Sequence, residues 1–370
     1  MMLMHRFLVL AVCALLPASV LAGSDYDHSS TIGPARGWLV IQGGGQLTSE
    51  VKDRFVALAG GPNAEIVVIP TAEGDDQLDL AQMRRYFAQA FGVRSVTMLH
   101  TRDRARANSK EFIEPLRHAT GVWIDGGRQW RLVDAYLGTA VEKEIKALLA
   151  RGGVVGGGSA GATIQGSFLV RGAPGTLFNP EGDNRIMMAP GYTTGFGLLP
   201  GSAIDQHVDT RHREADLGPV IASHPELLGI GINQDAAIVV HGDSFFVVGG
   251  QAVIHDGKTH NGSPYYFLSS GQAFDLKKRA AVNDASPLAL VPTTASRLVT
   301  ANGIRTTGTA RLGSFNNTTT SPREIHYSCE ASLYSAGGTE YAARPDGPGR
   351  MQIQVRDLNT DKLREYPCTY

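Results

Sequence analysis

Cysteine is scarce in this chain, with only three in 370 residues, and neither sign of charge dominates: 34 basic against 35 acidic side chains leave a formal charge of −1. So few cysteines exclude a disulfide-dense scaffold and a thiolate metal cluster. Without an excess of positive charge, no broad field exists to gather nucleic acid or an anionic membrane surface, so partners must be selected by a site. H-E-x-x-H is missing, as are the P-loop Lys-Ser/Thr pair and a G-x-G-x-x-G with an acid about twenty positions on, so no metal or cofactor is implied. What the chain does have is length and 42% hydrophobic residues, enough for one large domain with an extension.

The first residues read as a secretory leader over 1–22: His5-Arg6, an apolar stretch from Phe7 to Leu16, then small residues ending at Ala22. The apolar stretch is too short to span a bilayer, and cleavage after Ala22 predicts a secreted protein, extracellular or periplasmic, with no membrane partner. Cys13 falls inside the leader, leaving Cys329 and Cys368. In an oxidising compartment the simplest arrangement is a disulfide between them, worth roughly 4 kcal/mol by chain entropy; two free thiols are the alternative. A polar segment over 23–36 is expected to be mobile.

From Gly37 the chain alternates short apolar runs with helical patterns. Trp38 to Gln42, Glu65 to Pro70, Val93 to His100 and Val122 to Ile124 read as strands. Between them, Thr48 or Ser49 can cap a helix carrying Val51, Phe55 and Leu58, Leu80, Met83 and Phe87 mark a second, and Ser109 precedes a third. Helical patterns over Gln129–Tyr136 and Thr139–Ala150 lead to one more strand. Strands apolar on both faces and alternating with helices predict an α/β fold, a mostly parallel sheet covered on both sides. Glycine stops at Gly43–Gly45, Gly126-Gly127 and Gly156–Gly158 would then share the carboxyl edge where such sheets bind ligands. Gly172–Gly201 reads as long loops, and the short β runs from Leu228 to Ile254 as an antiparallel meander. The domain is bounded at 37–276, followed by a smaller β-rich C-terminal extension over 277–370.

The chemistry centres on Gly157-x-Ser159-x-Gly161, the G-x-S-x-G of a nucleophile elbow, in which glycines flank a serine at a tight strand-to-helix turn. The Ala160 amide then opens the helix where an oxyanion would form. A plain glycine-rich turn is the competing reading. A serine needs a base, and His207, among polar Asp205, Gln206 and Asp209, is the candidate; a half-buried structural histidine is its alternative.

Four motifs in order, GGGSAGA at 156–162, DGGRQ at 125–129, DQH at 205–207 and the run from Gly229 to Val240, resemble the cyanophycinase and dipeptidase E family of serine peptidases, from about Trp38 to Leu276. The DQH with Arg211 and Arg213 downstream is nearer the cyanophycinase branch. The resemblance implies a flavodoxin-like, class I glutamine-amidotransferase-like fold and a serine exopeptidase. Its substrate would be cyanophycin, a poly-aspartate bearing arginine on each side-chain carboxyl, released as β-Asp-Arg dipeptides. Ser159 would attack, His207 would shuttle the proton, and Ala160 with Gly127 would hold the oxyanion. Gln129, Asp205, Gln206, Arg211 and Arg213 would line the pocket for a peptide or polymer substrate; a homodimer is left open. Two positions depart from the family pattern. Glutamate is expected where this chain has Gln234, so either Gln234 orients His207, or Asp235 or another carboxylate does, or activity is lowered. Arg128 stands where an aspartate usually precedes the glutamine. A dipeptidase for aspartyl or isoaspartyl peptides and a weakly active or inactive peptide-binding homologue are the competing functions.

Overall fold

The computed structural model describes residues 31–282 throughout and, beyond them, the backbone of seven strands between 288 and 369. The expected leader over 1–22 lies outside the described residues. Of the stretch 23–36, Ile32 donates its amide to the Asp243 carboxylate, and Gly33 and Pro34 exchange backbone hydrogen bonds with Gly242.

Apolar runs become strands separated by one or two helices: β1 (Trp38–Gln42), α1 (Ser49–Leu58), β2 (Glu65–Ile69), α2 (Leu80–Phe91), β3 (Ser95–Met98), α3 (Arg104–Ala107), α4 (Lys110–His118), β4 (Gly121–Ile124), α5 (Gln129–Tyr136), α6 (Ala140–Ala150), β5 (Val154–Gly158) and α7 (Ala160–Thr163). Thr48 caps α1 and Ser109 caps α4, each side-chain oxygen accepting an otherwise orphaned amide of the first turn. Strands β1 to β5 are parallel neighbours in the order β1-β5-β4-β2-β3. Side chains alternate across this sheet, so Leu39, Ile41, Val67 and Ile69 pack into one apolar layer while Trp38, Val40, Ile66 and Val68 pack into the other. Both faces being dry explains why these runs are apolar throughout.

The chain continues through β6 (Gly166–Phe168), β7 (Leu199–Gln206), α8 (Gly218–Ser223), β8 (Leu228–Ile232), β9 (Ala237–His241), β10 (Ser244–Val248), β11 (Gln251–His255), β12 (Tyr266–Ser269), β13 (Ala273–Asp275) and β14 (Ala280–Ala281). The expected meander does not form as one sheet. β9 and β10 extend the main sheet antiparallel from β1, giving nine strands in the order β14-β13-β10-β9-β1-β5-β4-β2-β3, whereas β8 and β11 belong to a second sheet ordered β12-β11-β8-β7-β6. Local alternation cannot distinguish these pairings, because each strand is apolar enough to serve either sheet. The main sheet also runs past Leu276, since Ala281 pairs with Phe274.

The final strands, β15 (Leu288–Ala289), β16 (Thr294–Thr300), β17 (Gly303–Leu312), β18 (Arg323–Cys329), β19 (Thr339–Pro345), β20 (Arg350–Asp357) and β21 (Lys362–Thr369), form an antiparallel sheet. Its register sets Cys329 opposite Cys368; the side chains of both lie outside the described residues. No described helix is long and apolar enough to cross a membrane.

Candidate active site

β5 feeds Ser159 through glycines that the packing demands. A methyl at Gly157 would lie 2.5 Å from the Gly161 carbonyl oxygen, and one at Gly161 would collide with the Ile124 carbonyl of the adjacent strand. Ser159 itself takes φ 54°, ψ −113°, an unfavourable backbone for a residue with a Cβ. Its amide donates to the Gln42 carbonyl at the end of β1, so the turn is bolted to the neighbouring strand. The side chain is half-buried and open to a cleft.

His207 follows β7 directly, also at positive φ (52°), with its amide on the Gly43 carbonyl. Its Nε2 lies 3.1 Å from Ser159 Oγ and its Nδ1 lies 3.0 Å from Gln234 Oε1. An amide oxygen only accepts, so Nδ1 carries the proton and Nε2 is the acceptor for the serine hydroxyl. Burial, with Arg211 and Arg213 nearby, outweighs the Gln234 contact and holds the imidazole below its usual value, hence neutral at neutral pH. Gln234 is fixed in turn: Thr210 Oγ1 donates to its Oε1 at 3.2 Å, and its amide donates to Asp209 at 2.7 Å. Asp235 instead turns its carboxylate to the Gln46 amide. Of the two acceptors the sequence leaves open, Gln234 is the one in contact with His207.

Oxyanion donors also fall beside the serine. Ala160 N–H is the first of α7, one of those a helix leaves without an intrahelical acceptor. Across from it, a methyl at Gly126 would lie 3.5 Å from Ser159 Cβ. Gly127 sits at φ 124° with its Cα against the Ala72 carbonyl, a position closed to any side chain. The Asp125 carboxylate faces the Gly126 amide, which leaves Gly127 N–H as the second candidate donor in this loop.

The expected pocket residues have different surroundings. Gln129 is buried with its amide on the Val170 carbonyl. Asp205, fully buried, is held bidentate by Arg171 at 2.7 Å through both oxygens, and Arg171 also reaches Asp216 at 2.6 Å. Asp205 therefore has Arg171 as its partner and no exposed surface. Gln206 is buried, and its Oε1 has no hydrogen-bond partner among the described residues. Arg213 donates to the Gln206 carbonyl and, through burial and the positive charge of Arg171, is lowered to about 10, still a cation at neutral pH. Arg211 is exposed, and Arg128 pairs with Glu181 at 3.4 Å. Arg171 and Thr210 escape sequence reasoning, since neither belongs to a recognisable pattern and each acts through a residue distant in the chain; Asp209, read from the sequence only as a polar neighbour of His207, acts instead on the Gln234 backbone amide.

A cleft of about 360 Å³ opens beside Ser159, with Trp123, Tyr86, Asp79 and Asp125 among its lining residues. Burial and the like charge of Glu73, against one amide hydrogen bond, push the Asp125 carboxyl up to about 6.

The model of peptidase family S51 matches residues 39–248, a span that contains Ser159, His207 and Gln234. A cyanophycinase of Geminocystis herdmanii is 29% identical over 242 residues, covering 65% of this chain and 82% of its own. One of Trichormus variabilis is 30% identical over 250 residues, covering 62% and 81%. The crystal structure of a peptidase from an acI-B1 Actinobacterium shares the fold, with TM-score 0.51 at 23% identity over 66% of this chain and 98% of that one.

Proposed function

The chain belongs to peptidase family S51 and is a serine-type peptidase, and from that premise we propose that it hydrolyses cyanophycin to β-Asp-Arg dipeptides through an acyl-enzyme on Ser159. The observation that carries this reading is the hydrogen-bonded line Ser159–His207–Gln234, with separations of 3.1 and 3.0 Å, at the mouth of a cleft. As Ser159 Oγ attacks the aspartyl carbonyl carbon, His207 Nε2 takes its proton; the C–N bond then breaks and the proton passes to the leaving amine. Water, deprotonated by the same imidazole, cleaves the ester and returns Ser159 to its resting state. Amides of Ala160 and Gly127 would hold the negative oxygen meanwhile. The cations Arg128, Arg211 and Arg213 suit the carboxylates of an aspartyl-arginine chain, and Arg171 holds Asp205 and its strand in place behind them.

Export with Cys329 and Cys368 paired belongs to the same reading, supported by the leader-like first residues and the strand register; a mobility difference on non-reducing electrophoresis checks the pairing. The decisive experiment incubates the purified protein with cyanophycin and with Asp-X dipeptides and identifies products by mass. Expected are β-Asp-Arg from the polymer, phosphonate labelling of Ser159, and a loss of roughly 10⁴- to 10⁶-fold in kcat for Ser159→Ala. Dipeptide hydrolysis without polymer cleavage would instead mark an aspartyl dipeptidase. Polymer binding with no labelling of Ser159 would mark a binding protein.

A further inference from the structure

Charge is distributed unevenly about Ser159. Arg128, Arg211 and Arg213 lie outside the cleft, while the cleft is lined by two carboxylates, Asp125 and Asp79, by Gln82, and by the rings of Trp123 and Tyr86, with no lysine or arginine among its lining residues. Asp125 makes no ion pair among the described residues; its carboxylate meets the Gly126 amide, and its own backbone N–H donates to the Ile69 carbonyl. Its nearest charged influence is the like charge of Glu73, so it is a shielded carboxylate lacking a counter-charge beside the nucleophile.

Geometry also indicates which half of a substrate enters. Gly44 lines the cleft and lies directly under the imidazole, where a methyl would meet Cε1 and Nε2 of His207. The departing amine receives its proton from that same Nε2, so the leaving group must lie on the side of the serine bordered by His207 and Gly44. We propose that this cleft is the subsite for a cationic side chain, a guanidinium by preference, on the leaving-group side of the scissile bond, with Asp125 as its counter-charge and Tyr86 and Trp123 as aromatic walls. A planar guanidinium can accept a carboxylate at its edge and aromatic rings at its faces, which a compact ammonium does less well. An arriving cation would also supply what burial and Glu73 remove, holding Asp125 ionised near neutral pH.

The inference rests on the serine peptidase reading, and the test separates the two. Ser159→Ala protein, which needs no turnover, is titrated calorimetrically with agmatine and with the neutral N-pentylurea; in parallel, wild type is assayed on β-linked Asp-Arg and Asp-citrulline leaving groups. Expected are agmatine binding at least about tenfold tighter than the urea, an arginine preference of similar size in kcat/KM, and loss of both preferences in Asp125→Asn. Asp125→Glu, which keeps the charge, should retain part of them. Equal binding of agmatine and the urea to Ser159→Ala, or a preference unchanged in Asp125→Asn, overturns the subsite. Equal kcat/KM of wild type on the arginine and citrulline leaving groups overturns it as well, so a variant that fails to fold cannot protect the idea. Agmatine binding with Ser159 unlabelled by phosphonate would leave the subsite standing and sink the peptidase reading; the reverse would sink the subsite alone.

Discussion

Asp125 and Asp205 are two shielded carboxylates close to the same serine–histidine pair, and the fold treats them in opposite ways. Asp205 is gripped bidentate by Arg171, with Arg213 at 3.9 Å, whereas Asp125 has an amide hydrogen bond and the like charge of Glu73. A charge neutralised from within holds architecture; one left without a counter-ion at a cavity wall is available to a ligand. The contrast can be broken or sharpened by measurement.

The largest structural effect should come from Arg171→Met, which leaves the buried Asp205 carboxylate with only the more distant Arg213 and the Gln206 amide and should lower the unfolding free energy by up to roughly 3–5 kcal/mol in denaturant titrations. A change under about 1 kcal/mol would mean that Asp205 is not architectural after all. Asp125→Asn should act with the opposite sign. The folded-state value of this carboxyl, about 6, lies above the ordinary 3.8, so its contribution favours the fold below pH 3.8 and is lost as pH rises through 6. Above that the ionised group costs up to about 3 kcal/mol, and the variant should be more stable than wild type at pH 8 by an amount that shrinks towards pH 4. Loss of stability at pH 8 would show Asp125 to be internally compensated, as Asp205 is.

Gln234→Glu should have the smallest effect. A charged acceptor outdoes a neutral one by on the order of 1–1.5 kcal/mol, which predicts about a tenfold gain in kcat/KM. It should also move the acid limb of the pH profile upward, because a carboxylate would raise the imidazole that burial now holds below its ordinary 6.5. An unchanged limb would mean that residue 234 does not set the base.

Ser159 and the strands before it were readable because their causes are local: two glycines forced by the Gly161 and Ile124 carbonyls, and β1 to β5 dry on both faces. His207 was readable through its motif, and its contact with Gln234 follows from the pairing of β7 with β8, whose ends carry the two residues. The partition of β8 to β11 between two sheets was not, since register is a long-range choice that apolar alternation leaves degenerate. The pairing of Asp205 with Arg171 was equally hidden, because Arg171 sits in a glycine- and proline-rich stretch without periodicity and reaches across 34 residues. The cleft escaped for the same reason: Asp79 at the N-cap of α2 and Tyr86 within it reach the cleft from far along the chain from Asp125.

Ser159 and His207 both hold positive φ without being glycine. Backbone of this kind costs on the order of 1–3 kcal/mol per residue and persists only because surrounding contacts enforce it. At these places, substitution by glycine relaxes the chain while erasing the hydroxyl or the imidazole, so unselected drift would carry a lineage towards sturdier molecules that have ceased to turn over. Continued presence of both side chains in a population would thus be a record of purifying pressure on chemistry rather than on endurance.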